Sequence, residues 1–223
     1  MKRIALYGGT FDPVHAGHIA VARELKQLLA LDEVLFIPAH VAPHKRGREV
    51  TPAFERYAML ALATQNEPRL MISTVELDEP AKPYTIETLV RMQSKLGPEA
   101  QLFFVMGADS WVDIKTWREW ERVLELTNHV VVTRPGYELS TEHVTPAVRE
   151  RVVDLRGLER EAVSREVDGS EGTRIYVTDV VLMDVSSTEI RQLVRDGLGR
   201  EAAALLPAAV AEFIGKYKLY RKN

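Results

Sequence analysis

Short apolar runs alternate along the chain with longer segments whose apolar residues recur at helical spacing. Runs of this kind, bounded by glycine, proline or charged residues, are typical of buried strands. The predicted strands cover residues 4–7, 34–37, 69–77, 101–106, 129–133 and 175–183. Because helical segments separate most of them, the pattern predicts a parallel sheet with helices on both faces.

The helical segments follow the strands along the chain. The first opens near His15 and runs to Leu31. The second begins with Thr51 as its N-cap and Pro52 at its first helical position. The others cover residues 84–96, 117–126, 186–195 and 207–217. The predicted fold class is therefore α/β, a Rossmann-like doubly wound parallel sheet with a small C-terminal helical segment, in one domain over residues 1–223.

Residues 138–173 interrupt the alternation with a charge-rich stretch that has few aromatic residues. The stretch predicts a short helix over residues 147–153. Around a loop at residues 168–172 it predicts a hairpin of two strands, Val163–Val167 and Arg174–Thr178. We expect a solvated excursion without chemistry.

Composition narrows the classes of function. The 223 residues include no cysteine, which excludes disulfides, thiolate metal sites and cysteine nucleophiles and fits a cytoplasmic location. Charges interrupt every apolar run before it reaches the length of a membrane span, so we expect no membrane partner. The net charge of −3 argues against a nucleic-acid partner. An anionic small-molecule substrate would therefore need a local cluster of positive groups.

The first stretch that carries chemistry is YGGTFDPVHAGH at residues 7–18. A strand runs into a Gly-Gly turn that opens a helix, so backbone N–H groups and the positive helix end point at one place, as in an anion site. His15 and His18 share one face of the first helical turn, and Gly17 removes a side chain between them. The alternative is two capping histidines beside an ordinary turn.

A second stretch, SSTEIR at residues 186–191, precedes a helical run. It could simply cap that helix, with Arg191 on the surface. The two stretches resemble, however, the GGTFDPxHxGH and SSTxIR motifs that occur together in the nucleotidyltransferase superfamily with the HxGH motif; Val185 stands where that family has isoleucine. Two helix N-termini with an added guanidinium suit a triphosphate. The resemblance implies ATP binding by Gly8, Gly9, Thr10, Phe11, His15, His18, Gly107, Asp109, Arg134, Ser186, Ser187, Thr188 and Arg191.

A third set of matches is similar to the bacterial nicotinate-nucleotide adenylyltransferases, which join nicotinate mononucleotide and ATP to give deamido-NAD and pyrophosphate. The matching pieces are PHK at 43–45, YT at 84–85, GADS at 107–110, TW at 116–117 and TRPG at 133–136. The resemblance covers residues 1–136 and 174–215. It implies mononucleotide binding by Gly9, Thr10, His44, Lys45, Tyr84, Thr85, Trp117 and Arg118.

The same resemblance implies a role for each part of the mononucleotide site. Trp117 would stack on the pyridine ring, unless it is a core tryptophan. Backbone N–H groups of Tyr84, Thr85 and residue 118 would bind the nicotinate carboxylate; members often have tyrosine at the last position, where this chain has Arg118. Asp109 would bind a ribose, unless it only caps a loop.

For catalysis, the resemblance implies that His15 and His18 contact the α and β phosphates of ATP. Lys45, Arg134 and Arg191 would offset the phosphate charge, and Mg²⁺ would be bound through the ATP oxygens rather than by a protein site. The catalytic set is then His15, His18, Lys45 and Arg191, the partners are ATP and nicotinate mononucleotide, and a homo-oligomer is left open.

Other interpretations remain at this point. The acceptor could be nicotinamide mononucleotide or phosphopantetheine, or the enzyme could be a cytidylyltransferase. The chain could also be a nucleotide-binding regulatory module without the chemistry, although the intact His15, His18 and Arg191 argue against that. A class I synthetase domain is more remote, because the chain has no room for a tRNA-reading domain.

Overall fold

The computed structural model describes residues 1–40, 50–78, 83–134, 136–180, 183 and 185–221. Within them one seven-stranded sheet has the order β3-β2-β1-β4-β5-β7-β6, and every neighbouring pair is parallel. The strands are β1 (Lys2–Gly9), β2 (Glu33–Pro38), β3 (Leu70–Ile72), β4 (Ala100–Gly107), β5 (Asn128–Val132), β6 (Val152–Asp154) and β7 (Ile175–Thr178).

Helices cover both faces of this sheet. Those of the described residues are α1 (Ala16–Leu28), α2 (Ala53–Thr64), α3 (Thr85–Leu96), α4 (Ala108–Val112), α5 (Trp120–Leu126), α6 (Pro146–Arg149), α7 (Arg160–Asp168), α8 (Ser187–Arg195), α9 (Gly199–Ala204) and α10 (Ala208–Tyr217). A 3₁₀ turn, Ile114–Thr116, lies between α4 and α5. No helix in this part of the chain is long and apolar enough to cross a bilayer.

Alternate residues of the strands feed two hydrophobic layers. In β4, Phe103 and Val105 pack with α1, α2, α7, α8, α9 and α10, whereas Leu102, Phe104 and Met106 pack with α3, α4, α5 and α6. This is the period of two expected of a strand buried on both sides. The predicted doubly wound parallel sheet is confirmed.

The strand order reverses between β1 and β4, which are paired with each other. The chain leaves β1 for α1 on one face and leaves β4 for α4 on the other. In doubly wound sheets this divergence opens a crevice beyond the carboxyl ends of the strands. The ends that border the crevice are Gly9 of β1 and Gly107 of β4.

Several predicted element boundaries were wrong. The strand predicted over 69–77 ends at Ile72, because Leu77 and Asp78 donate their N–H groups to the Thr74 carbonyl and close a turn. Pro52 is extended at φ −48° and ψ 145°, so it caps α2 instead of beginning it. The predicted strand over 175–183 ends at Thr178.

The helix predicted over 117–126 begins only at Trp120. Glu119, the residue before it, has a left-handed backbone with φ 52°. This places Trp117 in an extended connection after the 3₁₀ turn, with ψ 143°. Further along, the helix α9 between α8 and α10 was missed by the sequence analysis.

Residues 138–173 are not the predicted solvated excursion. They supply the edge strand β6 and the helices α6 and α7. The segment predicted as the strand Val163–Val167 is part of α7, and these two valines are buried in the core at helical spacing. The predicted helix over 147–153 is the short α6, followed by β6. Only the second strand of the predicted hairpin, β7, exists.

Candidate active site

The N-termini of α1 and α8 meet at one place, which we call the helix junction. Arg191 of α8 donates from Nη1 to the Asp12 carbonyl at 2.6 Å, and Ser187 donates from Oγ to the Pro13 carbonyl at 2.9 Å. Both acceptors lie in the turn between β1 and α1. The two sequence motifs are therefore joined by direct hydrogen bonds, and the predicted juxtaposition of Arg191 with the HxGH stretch is confirmed.

Close approach at the junction depends on Gly17. A Cβ on this residue would lie 2.8 Å from Cγ1 of Val185 and 3.1 Å from Nδ1 of His15. Non-bonded atoms do not approach so closely, so a side chain at position 17 would require Val185 or the His15 ring to shift. The glycine makes room for Val185 of the second motif as well as for the histidine ring.

The two histidines form a stacked pair. Their ring centroids lie 3.7 Å apart, and the His15 backbone N–H donates to Nδ1 of His18 at 3.2 Å. Because Nδ1 of His18 accepts this bond, the proton of its neutral ring is on Nε2, which remains a donor. The histidines do cap α1, as the alternative interpretation held, but this capping also fixes the tautomer of His18.

Burial keeps both rings neutral. It lowers the pKa of His15 to about 4. The pKa of His18 is well below its usual value, because of burial and, secondarily, the neighbouring His15. Tyr7 and Phe11 pack against the His18 ring, with centroids 6.1 Å and 5.0 Å away. At neutral pH both rings are therefore uncharged. They offer an approaching anion hydrogen-bond donors instead of positive charge.

The turn before α1 has a constrained backbone. Phe11 is left-handed at φ 50°, and its ring lies over Gly9, where a Cβ would be 2.8 Å from Cζ.

The predicted anion site at the α1 N-terminus is smaller than expected, because the Ala16 N–H already donates to the Leu205 carbonyl at 3.0 Å. At α8, Ser186 accepts the Glu189 N–H through Oγ, as a Ser N-cap should.

The buried guanidinium of Arg56 stabilises the turn after β1 through hydrogen bonds. Arg56 of α2 is completely buried and donates to three backbone carbonyls: Thr10 at 2.7 Å, Thr51 at 2.9 Å and His40 at 3.0 Å. It thereby ties the turn after β1 to the residues that follow β2 and precede α2. The sequence analysis did not assign this residue.

Asp12 receives a second brace from the C-terminal tail. Its carboxylate accepts from Oη of Tyr220 at 2.7 Å and from the Thr51 N–H at 3.4 Å, and the residue is 3 % exposed. Burial and the nearby carboxylate of Asp12 raise the pKa of Tyr220. The carboxylate thus holds the turn in place, and the sequence analysis missed both residues of this pair.

A cavity of about 230 Å³ occupies the crevice between β1 and β4, and we call it the switch pocket. It exceeds the roughly 150 Å³ of an apolar cavity that holds a benzene ring. Predicted binding residues that line it are Gly8, Gly9, Thr10, Tyr84, Thr85, Gly107, Trp117 and Arg118. Lining residues that the sequence did not assign include Ile37, His40, Glu76, Thr88, Phe104 and Ser110.

Trp111 and Trp117 are close in sequence but have different surroundings. Trp111 is completely buried and donates from Nε1 to the Ser140 carbonyl, so it is the core residue. Trp117 is half-buried, lines the switch pocket and meets Phe104 edge to face, with centroids 6.2 Å apart. Trp117 therefore packs against the core on one side and lines the pocket on the other.

The rim of the switch pocket is charged. The Tyr84 N–H already donates to Oε2 of Glu87 at 3.0 Å, so it is not a free donor. The guanidinium carbon of Arg118 lies 4.9 Å from the centre of the Tyr84 ring, and Nη1 of Arg118 lies 3.6 Å from Oε1 of Glu87. Thr85 is the first residue of α3, where a backbone N–H has no intrahelical partner.

The remaining predicted residues fall into three groups. Asp109 is exposed in the first turn of α4, outside the lining of the switch pocket. Arg134 is exposed two residues after β5, at the carboxyl edge of the sheet. His44 and Lys45 lie outside the described residues.

Comparison with known proteins places the chain in a family. The profile of the cytidylyltransferase-like family matches residues 6–193. A protein of Corynebacterium glutamicum named "probable nicotinate-nucleotide adenylyltransferase" is 37% identical over 219 residues, covering 98% of this chain and 88% of the relative. A protein of the same name from Thermoanaerobacter is 37% identical over 221 residues, covering 99% of this chain and 95% of the relative.

The solved structures agree on the fold. Nicotinic acid mononucleotide adenylyltransferase of Plasmodium falciparum, in complex with NaAD, superposes with a TM-score of 0.70 over 99% of this chain and 98% of that one, at 19% identity. The described architecture, the joined motifs and the sequence matches agree. The chain belongs to the cytidylyltransferase-like family and, within it, to the nicotinate-nucleotide adenylyltransferases that it matches along almost its whole length.

Proposed function

We infer that this protein transfers the adenylyl group of ATP to nicotinate mononucleotide, forming deamido-NAD and pyrophosphate in NAD biosynthesis. The observation that carries this function is the hydrogen bond from Arg191 to the Asp12 carbonyl, because it assembles the two motifs into one junction. The relatives of the same length carry the name of this activity. The switch pocket beside the junction supplies a separate place for an aromatic ring.

The chemical step is an in-line displacement at the α-phosphorus of ATP. A phosphate oxygen of the mononucleotide forms the new bond, the bond from the α-phosphorus to the bridging oxygen breaks, and pyrophosphate leaves with the electron pair. The attacking phosphate is already an anion at neutral pH, so no strong general base is needed. Catalysis is then positioning and stabilisation of charge.

The helix junction would hold the polyphosphate. Nε2 of His18 would donate to a phosphate oxygen beside His15, and binding of the anion would raise the pKa of both rings. Arg191 would add its guanidinium, with Arg134 and Lys45 as further positive charges. Backbone N–H groups at the start of α8 would complete the site, from residues Ser186, Ser187 and Thr188.

Magnesium would enter with its substrate, bound to the ATP phosphates. Among the described residues no group of three histidines or carboxylates is placed to hold a metal ion, and the nearby Asp12 carboxylate is engaged by Tyr220 and Thr51. Mg²⁺ is often bound through substrate phosphates and water. When bound it would neutralise charge on the polyphosphate.

The switch pocket would hold the nicotinate ring against Trp117, with backbone N–H groups of Thr85 and Arg118 near its carboxylate. Gly8, Gly9 and Thr10 would let the phosphates pass close to the end of β1, with Phe11 above them. On the ATP side, Gly107 and the exposed Asp109 would lie near a ribose. The role of His44 and the cytoplasmic location remain predictions of the sequence.

The test is a pyrophosphate-release assay on the purified protein. We expect ATP with nicotinate mononucleotide to release pyrophosphate much faster than ATP with phosphopantetheine, or CTP with any acceptor. The product should have the mass of deamido-NAD. ATP binding without pyrophosphate release on any acceptor would instead identify a regulatory module and overturn the proposal.

A further inference from the structure

We propose that the guanidinium of Arg118 selects the acid form of the mononucleotide over the amide form. This inference rests on the proposed function and adds a determinant of specificity to it. A backbone N–H is offered by any residue at position 118 except proline, whereas this chain adds an arginine side chain where members of the family often have tyrosine.

The Arg118 side chain is held at the rim of the switch pocket. It lines the pocket next to Trp117, and its guanidinium lies over the Tyr84 ring at 4.9 Å. A cation over an aromatic face is attracted by the ring quadrupole, and a planar guanidinium stacks well there. Glu87 holds the same group from the side at 3.6 Å. The positive charge is thereby kept at the mouth of the pocket although the side chain is exposed.

Charge at the pocket favours a carboxylate at this rim. Arg118 is the only arginine or lysine among the described residues that line the pocket. The carboxyl of Glu76, which also lines the pocket, accepts from Oγ1 of Thr88 at 2.8 Å, and burial raises its pKa. A carboxylate on the ring would meet a cation at the mouth, whereas a neutral amide would gain no such attraction.

Glu87 competes for the donors that the ligand would use. One of its oxygens faces Arg118 and the other accepts the Tyr84 N–H. A guanidinium has five N–H donors, so Arg118 can contact Glu87 and a ligand carboxylate together. Glu87 partly neutralises the guanidinium, and removal of its charge should therefore sharpen the preference for the acid.

The matched variants are Arg118→Gln and Arg122→Gln. Arg122 is as exposed as Arg118 and also pairs with Glu119, but it does not line the pocket. We expect Arg118→Gln to lower kcat/KM for nicotinate mononucleotide by about 5- to 20-fold, within the range of a charge-assisted contact at a half-exposed site. Its kcat/KM for nicotinamide mononucleotide should change by less than about twofold.

Two more variants complete the test. Arg118→Lys should restore part of the selectivity, because it keeps the charge but loses the planar stack. Glu87→Gln should raise the acid-to-amide ratio above that of the wild type. Arg122→Gln should leave both substrates unchanged.

Equal losses for acid and amide in Arg118→Gln would show a structural role for the Tyr84 stack and overturn the inference. Unchanged kcat/KM for both substrates in Arg118→Gln would also overturn it, with the proposed function left intact. A wild-type protein that forms no dinucleotide from ATP and the acid mononucleotide would fail the proposed function itself, and the inference with it.

Discussion

The helix junction and the switch pocket are built in opposite ways. At the junction, groups from α2, α8 and the C-terminal tail hold the turn after β1, largely through its backbone carbonyls. At the switch pocket, the rim is made by exposed side chains that contact one another, with Arg118 over the Tyr84 ring and beside Glu87. The difference teaches that the chemistry depends on fixed positions, whereas the choice of acceptor depends on exchangeable side chains.

The largest effect is expected from His18→Ala, which tests whether the junction carries the chemistry. Loss of the Nε2 donor should lower kcat by about two to four decades, as for other donors that stabilise charge in a transition state. A thermal melt checks that the variant keeps its fold. Near-normal turnover would remove His18 from the mechanism. It would also show that activity depends no more on fixed groups at the junction than on those at the pocket.

Acid sensitivity of folding comes next in size. His15 at the junction has a pKa of about 4, and His129, whose ring meets Phe104 beneath the pocket, has a pKa of about 3, both lowered by burial. The unfolded chain binds protons to these groups more readily. Stability is therefore fully present above about pH 6.5 and is lost as pH falls toward these values.

Substitution of His129 by Asn should separate the two histidines. Urea unfolding between pH 6.5 and 4.5 should show a shallower loss of stability in the variant, by up to about 1.4 kcal/mol per pH unit. ATP should change the pH dependence that remains, since His15 lies at the junction, but not the part that the variant removes. Parallel curves for variant and wild type would contradict the assignment.

A smaller effect is expected from Trp117→Ala. Loss of a stacking face should raise the KM for nicotinate mononucleotide by about 10- to 50-fold, within the range of an aromatic stack, and the KM for ATP by less than about threefold. Trp120→Ala is the control, because Trp120 is also partly buried but does not line the pocket. Equal increases in the KM for both substrates would contradict the assignment of the pocket to the mononucleotide alone.

The smallest effect tests the brace from the C-terminal tail. Tyr220→Phe removes the hydroxyl that donates to Asp12 and should lower kcat about fivefold, because a lost hydrogen bond to a buried charge loosens the turn. Tyr217→Phe should have no effect, since Tyr217 is 56% exposed at the end of α10. A variant at position 220 with unchanged kcat and lower stability would limit Tyr220 to a structural role.

Local signals in the sequence predicted the motifs and most of the strands correctly. Gly8 and Gly9 after an apolar run, and Ser186 before a helical run, are determined by neighbours within a few residues. Such patterns are visible without the fold. The segment at 160–168 was misassigned because its charges obscured the spacing of Val163 and Val167, two buried positions one helical turn apart.

The braces of the junction could not be predicted in the same way. Tyr220 and Asp12 are 208 residues apart, and nothing near either residue indicates the other. Arg56 did leave a signal, because it shares the buried face of α2 with Met59 and Leu60. An arginine on an apolar face must find acceptors inside the protein, but the sequence could not say that these would be carbonyls around the catalytic turn.

Gly17 has a consequence for anyone who redesigns this chain. The space above it is already filled by one methyl group of Val185. Two residues that are far apart in the sequence therefore compete for the same volume. Enlarging residue 17 by one carbon calls for shortening residue 185 by about the same amount. Ala at position 17 should therefore be tolerated better together with Val185→Ala than alone.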